Sequence, residues 1–257
     1  MSEASSDYQT LRYTAADGIG RLTLNRPDRL NAMTNRMVVE VHDCLAEVAA
    51  RDDVRVLILS GEGRGFCPGA DLKHFSGGEA EIVTEPRHFQ VPLYLHRMPQ
   101  ITIAAINGAC AGAGFGWACA CDLRFAAESA NFNTAFLNVA SAGDMAGPWT
   151  LPRLLGAAKA RELYFLPDKF RAADALAMGL VSRVFADDVF RTEITAIATR
   201  LAAASPHALA GMKQNFLAAE ANNLERYIDI ETARHMEIMA HGDAKAAFRA
   251  FVEKRTA

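Results

Sequence analysis

The stretch Asn107–Gly116, NGACAGAGFG, decides the fold: it is a Gly- and Ala-rich turn set between the apolar run Ile101–Ile106 and an apolar segment ending at Asp122. Side chains this small let a second molecule approach the backbone closely, and the N–H groups that open the next helix point at whatever enters. A second turn of the same kind lies upstream, where GEGRGFCPGADL (Gly61–Leu72) follows the β-type run VRVLILS (Val54–Ser60) and leads toward a helix. Two strand–turn–helix units, each with unpaired backbone N–H groups, are suited to aim two donors at one developing oxyanion.

Working outward, Gly20–Asn25 alternates as a strand does, Arg26–Pro27–Asp28 breaks it, and Thr34–Ala50 carries apolar residues at helical spacing. Gln100–Ile106 and Leu123–Ala127 read as strands flanking the Gly/Ala-rich helix. The stretch from Gly77 to Pro92, with Gly, Glu and Pro and weak periodicity, reads as a mobile loop or short helix beside a site. Beyond Leu151 the pattern is mainly helical: Ala157–Leu166, then Arg171–Met178 ended by Gly179, then a short strand at Leu180–Phe185. From Val189 to Arg255 it is almost wholly helical, with a break at Ser205–Pro206. Strands separated by helices predict an α/β core over residues 1–200, and the helical end, 201–257, an appendage. Helices with apolar faces at a chain end need a partner to cover them, so oligomerisation is expected.

The 257 residues suit one large domain or a domain with an appendage. At 51% apolar and 22% charged the composition is that of an ordinary soluble protein. A formal net charge of −3 gives no general attraction to nucleic acid, so an anionic ligand must be met by local basic groups. With a polar, acidic start, MSEASSDYQT, and no apolar run of membrane-span length, neither a membrane partner nor a nucleic-acid partner is expected, and the expected location is cytoplasmic. Cys44, Cys67, Cys110, Cys119 and Cys121 are odd in number and lack CxxC or zinc spacing, which predicts buried free thiols. The histidines show no HxxxH or HExxH pattern, and no metal is expected.

In order and spacing, LTLNRPDRLNAM (Leu22–Met33), GFCPGADL, INGACAGAGFGWACACD and AFVEKR (Ala250–Arg255) together resemble the enoyl-CoA hydratase/isomerase (crotonase) superfamily over nearly the whole chain. The resemblance implies a crotonase-type α/β spiral of ββα units with a C-terminal helical trimerisation region, assembled as a homotrimer or a dimer of trimers. It also implies an acyl-CoA thioester substrate, with coenzyme A entering as part of that substrate and no other cofactor. The family's two oxyanion donors map to the N–H groups of Ala70 and Ala113, flanked by Gly69 and Gly112. Where the family usually has three glycines this chain has Gly112–Ala113–Gly114, which keeps the donor and adds a methyl. Arg29 and Leu30 match positions beside the adenosine and pantetheine, and Asp71, Leu72 and Lys73 extend the first oxyanion turn. Arg26 and Arg29 are candidate phosphate donors, with the solvation of a surface turn as the alternative. Lys254 matches a position that reaches a neighbouring subunit's ligand.

The acid/base positions depart from the hydratases. Where those enzymes carry two glutamates this chain has Gly116 and Phe136, and neither moves a proton. Asp144, in SAGDMAG, stands where dienoyl-CoA isomerases, the ring-opening 1,2-epoxyphenylacetyl-CoA isomerase type and 4-chlorobenzoyl-CoA dehalogenase carry their aspartate. Among Val139, Ala142, Met145 and Trp149 such a carboxyl is expected to be desolvated and its pKa raised. A turn or a helix N-cap is the competing role for Asp144. Phe66, Phe75, Phe89, Phe136 and Trp149 are candidates to line an aromatic or long apolar pocket, or simply core.

Two other enzyme classes fit poorly. The dinucleotide fingerprint needs a glycine where Trp117 stands, and no GxSxG supports a serine hydrolase. Within the resemblance, an isomerase-like enzyme using one aspartate is favoured. A true hydratase with non-standard catalytic residues and a non-catalytic acyl-CoA-binding homologue remain as alternatives.

Overall fold

An Asp17–Gly18 turn, with φ of 53° and 78°, joins β1 (Leu11–Ala16) to β2 (Ile19–Leu24) as an antiparallel hairpin. Asp-Gly is the pair that a two-residue turn with both φ values positive prefers. Thr34 then caps α1 (Asn35–Ala49), its side chain accepting the Met37 N–H at 3.3 Å. Met37, Val41, Leu45 and Val48 fall on one face of that helix and are buried. The computed structural model describes residues 8–77 and 82–256.

From there one pattern repeats. A strand of a large sheet is followed by a short strand of a small sheet and then by a helix or turn. The first round is β3 (Val56–Gly61), β4 (Gly65–Cys67) and α2 (Leu72–Ser76). A 3-10 turn, Pro86–Gln90, and α3 (Val91–Arg97) precede the second round, β5 (Ile101–Ile106), β6 (Ala109–Ala111) and α4 (Gly112–Ala120). The third is β7 (Leu123–Ala127), β8 (Asn131–Asn133) and a 3-10 turn, Phe136–Val139. After it come α5 (Gly147–Leu155), α6 (Ala157–Phe165), β9 (Phe170–Arg171), α7 (Ala172–Ala177), β10 (Arg183–Phe185) and α8 (Phe190–Ala202).

Among the described residues the large sheet runs β1-β2-β3-β5-β7-β10, parallel from β2 onward, and the small one β4-β6-β8-β9. All six residues of β5 are buried, as a central parallel strand covered on both faces requires. Every residue of α4 is buried too. The Gly/Ala-rich helix is therefore core, and only its first turn is left to meet a ligand.

The fold is thus the α/β spiral of ββα units followed by helices that the resemblance implied. Its details correct several expectations. Within the segment read as loop or short helix, Gly77–Pro92, lie the 3-10 turn Pro86–Gln90 and only the first two residues of α3, whose Val91, Pro92 and Leu95 are buried; 78–81 lie outside the described residues. The strand expected over Leu180–Phe185 begins only at Arg183, because Leu180 and Val181 both donate to the Ala175 carbonyl, at 2.9 and 3.3 Å, and close a turn. The helix expected over Ala157–Leu166 is α6, and α5, which ends at Gly156 with φ 79°, is a further helix before it that the sequence reading did not include.

The chain divides into two compact units, Met1–Thr199 and Arg200–Ala257. The second holds α9 (Pro206–Ala221), α10 (Leu224–Ala240) and α11 (Gly242–Thr256). Ser205 and Asn223 cap α9 and α10 through the Ala208 and Arg226 N–H groups, so the chain does break at Ser205–Pro206. Met212, Phe216, Ile228 and Met236 of this unit are exposed. The side chain of Lys254 lies outside what is described.

Candidate active site

The parallel pairing of β4 with β6 sets Cys67 beside Cys110. Ala70 and Ala113 each lie three residues past that pair, so the two turns leave the small sheet side by side. They touch: a Cβ built on Gly112 would lie 3.5 Å from the Cα of Gly69. Around Ala70, the Met33 N–H donates to the Gly69 carbonyl and the Asp71 N–H to the Met33 carbonyl, both at 2.8 Å. In such a bridge the middle residue turns its own N–H away from the partner strand. The Ala70 N–H has no acceptor among the described residues.

Ala113 is the second residue of α4, within the turn whose N–H groups have no intrahelical partner. The N-cap, Ala111, supplies no side-chain acceptor. The positive φ of this turn falls on Gly112, at 51°, and not on Ala113. Position 113 therefore accepts an alanine without the strain a left-handed φ would impose.

Asp144 sits in an irregular segment of the third round, between Gly143 at φ 103° and Met145 and Ala146 at 49° and 60°. Its Oδ1 is buried and has no hydrogen-bond partner among the described residues. Burial raises its pKa above the ordinary carboxylate value. The N-cap role is excluded: α5 is capped by Ala146 with no side-chain bond. The surroundings also differ from those expected. Val139 and Ala142 are exposed and Trp149 is largely so, its ring lying under the Arg153 guanidinium at 3.8 Å. Its neighbour Met145 is buried, and the residue before it, Gly143, lies against the rings of Tyr164 and Phe136, where an added Cβ would stand 3.3 and 3.7 Å from them.

The two positions that hold glutamates in hydratases are occupied in space as well as in sequence. A Cβ on Gly116 would stand 2.6 Å from the Met145 carbonyl oxygen and 2.7 Å from its Cβ. The backbone that carries Asp144 therefore fills the place a side chain at 116 would need. Phe136 is buried and stacks on Tyr164, with ring centroids 5.8 Å apart and planes 13° apart.

Of the expected CoA-side residues, Arg29, Leu72 and Lys73 are exposed and Leu30 half-buried, while Asp71 is buried. Asp71 caps α2 through the His74 N–H at 3.3 Å and pairs with Arg26 at 2.9 Å. Burial pushes its carboxyl up, but the Arg26 hydrogen bond, the His74 amide and the charges of Arg26 and Arg29 outweigh that and lower its pKa. Arg26 also donates to the Ala32 carbonyl. Its guanidinium is spent inside the protein, which corrects its reading as a phosphate donor. Arg29, at the end of the 3-10 turn Pro27–Arg29, stays at the surface. Phe66 belongs to the core, not to a pocket, whereas Phe75 and Phe89 are exposed.

Sequence reasoning missed the polar clamps. Asn31, fully buried, accepts the Arg26 N–H at 2.8 Å and donates to the Glu62 and Gly65 carbonyls. Asn107 accepts from the Gly61 N–H and donates to the Gly63 and Gly65 carbonyls. Both asparagines stood inside quoted motifs, between turn residues, which was the available signal. Tyr164 had none. His42, Asp43 and His88 also gather, their ligand atoms within 4.8 Å of one another. In this cluster His42 Nδ1 is bonded to Asp43 at 2.8 Å and His88 Nδ1 accepts the Glu85 N–H at 2.9 Å. All five cysteines are free and buried.

The site thus combines a spiral of ββα units, two adjacent Gly-rich turns and, on Asp144, one buried carboxyl oxygen without a partner among the described residues. Residues 14–257 match the family model for enoyl-CoA hydratase/isomerase, and the chain belongs to that family. It is 34% identical to the "probable enoyl-CoA hydratase" of Rhodobacter capsulatus, over 96% of each chain. It is also 34% identical to the 1,2-epoxyphenylacetyl-CoA isomerase of Escherichia coli, over 93% of this chain and 94% of that one. Enoyl-CoA hydratase from Bacillus anthracis superposes with a TM-score of 0.88 at 28% identity, covering 96% of this chain and 97% of that one.

Proposed function

We propose that the protein acts on acyl-CoA thioesters as an isomerase-like enzyme. The thioester oxygen accepts from the Ala70 and Ala113 N–H groups, and Asp144 moves the proton. Donors of this kind are typically worth about 3–4 kcal/mol each in the transition state. The Asp144 carboxylate takes a proton from one carbon of the acyl chain, and the negative charge passes to the thioester oxygen. The same group, now a carboxylic acid, returns the proton to another carbon. One base suffices, and no water is consumed.

The observation that carries this reading is the combination of a carboxyl at 144 whose Oδ1 is buried without a partner among the described residues with a backbone-filled Gly116. A hydratase must orient a water molecule and also deliver a proton, and the described residues offer no second carboxylate at the family positions. Similarity to the E. coli isomerase supports the same choice. Arg29, Leu30, Gly69, Asp71, Leu72 and Lys73 would flank the CoA moiety. Coenzyme A arrives with the substrate, and the chemistry as drawn calls on no other cofactor.

The deciding experiment is proton exchange with deuterated water across a panel of CoA thioesters, followed by NMR. Exchange at the α or γ carbon that vanishes in Asp144→Asn is the expected result. Hydration of crotonyl-CoA that Asp144→Asn leaves undiminished would overturn the assignment, and a panel left untouched by the wild type would favour the non-catalytic homologue.

We further propose a homotrimer or dimer of trimers. The exposed Met212, Phe216, Ile228 and Met236 of the helical unit are apolar surface that association would cover. Among the described residues no helix is long and apolar enough to cross a membrane. A cytoplasmic location suits the five unpaired thiols.

A further inference from the structure

Tyr164 is the unexplained polar group of this site. It comes from α6, and its hydroxyl oxygen is buried with no hydrogen-bond partner among the described residues. The molecule makes room for it at a cost: a Cβ on Gly147 would lie 1.7 Å from that oxygen. Gly147 follows the turn that Asp144 opens, its N–H donating to the Asp144 carbonyl at 3.4 Å. The ring is held by Phe136 on one side and meets Gly143, whose Cβ would be 3.3 Å from Cε1, on another. Two buried polar atoms without partners, a phenol and a carboxyl oxygen, thus face one short segment. Buried polar groups are almost always satisfied, and a native exception calls for an explanation, a catalytic role being one.

We propose that Tyr164 is a positioning residue for Asp144, its phenolic O–H turning onto the Asp144 carboxylate whenever that group is ionised. The inference rests on Asp144 being the base. During turnover Asp144 must alternate between acid and carboxylate inside an apolar wall. The acid tolerates having no partner, but the anion needs a donor. The phenol is a donor in every state of the cycle, because burial, with the charges of Cys119 and Asp144 added, holds its pKa far above the working range. Other titratable groups near the pair offer no such donor. Cys67 of β4 and Cys119 of α4 are buried thiols, each pushed up to about 12 by burial, and Arg26, whose charge reaches Cys67, is bonded to Asp71. A tyrosine kept only to fill space would be replaced by phenylalanine without consequence for Asp144.

The test is the titration of Asp144 itself, read by NMR on protein labelled at the aspartate carboxyl carbon, with the signal identified by its loss in Asp144→Asn. Removing the donor in Tyr164→Phe should move the midpoint upward by about one pH unit, the size of one hydrogen bond to a charged group. Gly147→Ala, which pushes the hydroxyl from its place, should move it the same way and serves if Tyr164→Phe fails to fold. A midpoint unmoved or lowered in a folded variant overturns the inference. Proton exchange in Asp144→Asn separates the two claims. If exchange survives there, the base assignment falls and the Tyr164 role with it. If it is lost there while the Tyr164→Phe midpoint stays put, only the Tyr164 role falls.

Discussion

Gly116→Ala adds one methyl group at the position where a hydratase keeps a glutamate, and the structure fixes what that methyl meets. It would lie 2.6 Å from the Met145 carbonyl oxygen, 2.7 Å from Met145 Cβ and 3.2 Å from the Met145 carbonyl carbon. Ordinary contact begins at 3.4 Å, so Met145 must retreat by about 0.8 Å, and the obstructing atoms are mostly backbone, which no rotamer change relieves. Met145 and Ala146 already hold positive φ, and Met145 is buried, so the segment has little freedom to yield. Overpacking of this kind costs about 1–3 kcal/mol, and backbone obstruction places it near 2–3. In a unit of this size that lowers the melting temperature by about 4–12 °C. The displaced residue adjoins Asp144, and a misplacement approaching 1 Å costs on the order of 100-fold in turnover. Thermal melts and the proton-exchange assay read the two effects together. A variant that melts within about 1 °C of the wild type and exchanges protons as fast would refute the claim that Gly116 and the Asp144 segment occupy one space. Gly116→Glu should be worse on both counts and should not install hydration.

Ala113→Pro removes the second oxyanion donor at a helix position where proline is tolerated. Turnover should fall by about 100- to 1,000-fold with circular dichroism unchanged, and retained activity would remove Ala113 from the site. Asn31→Ala strips the Arg26 N–H and the Glu62 and Gly65 carbonyls of their partner; urea denaturation should show a loss of about 2–4 kcal/mol, against no more than about 0.5 if the clamp is unimportant. The raised pKa of Asp144 gives a signed pH effect. Its folded state binds the proton more tightly than the unfolded chain, so it costs no stability below the unfolded pKa, and the penalty grows as pH rises toward the folded pKa and then levels off. Asp144→Asn should therefore melt higher than the wild type near pH 8 and equally near pH 4; equal melts at both would contradict the burial.

What the sequence made legible was local. Both oxyanion turns, the strands flanking them and the loss of the paired glutamates lie within short runs of small or apolar residues, where spacing alone carries the signal. The segment before β5 was harder, because α3 is short and contains Pro92 and His96, so its buried face gives too few repeats to register. The surroundings of Asp144 were misassigned for a different reason. Sequence neighbours such as Val139 and Ala142 are turned outward by the positive-φ residues Ala140 and Gly143. The rings that lie against its neighbour Gly143 come from elsewhere: Phe136 from the preceding turn and Tyr164 from a later helix. Neither periodicity nor motif spacing reports a contact made across two helices. The same holds for Arg26, whose commitment to Asp71 depends on the first loop lying against the turn after β4.

The relation between Gly116 and Asp144 suggests how one scaffold changes chemistry. In the proposed mechanism the oxyanion donors are backbone atoms on turns that leave the paired strands β4 and β6, so they persist whatever side chains surround them. The proposed acid/base group, by contrast, is a side chain, which a scaffold of this kind can carry on one round of the spiral or another. Placing it on the segment after the third round brings Met145 against α4, and that contact is possible only with a glycine at 116. A carboxylate at 116 and this position for Asp144 are therefore mutually exclusive in packing. Losing the glutamate and gaining the aspartate would then be one structural event, not two. Restoring a glutamate at 116 would have to be accompanied by a rebuilt 143–147 segment, and that pair of changes, not the single substitution, is the route by which hydration could be returned to this chain.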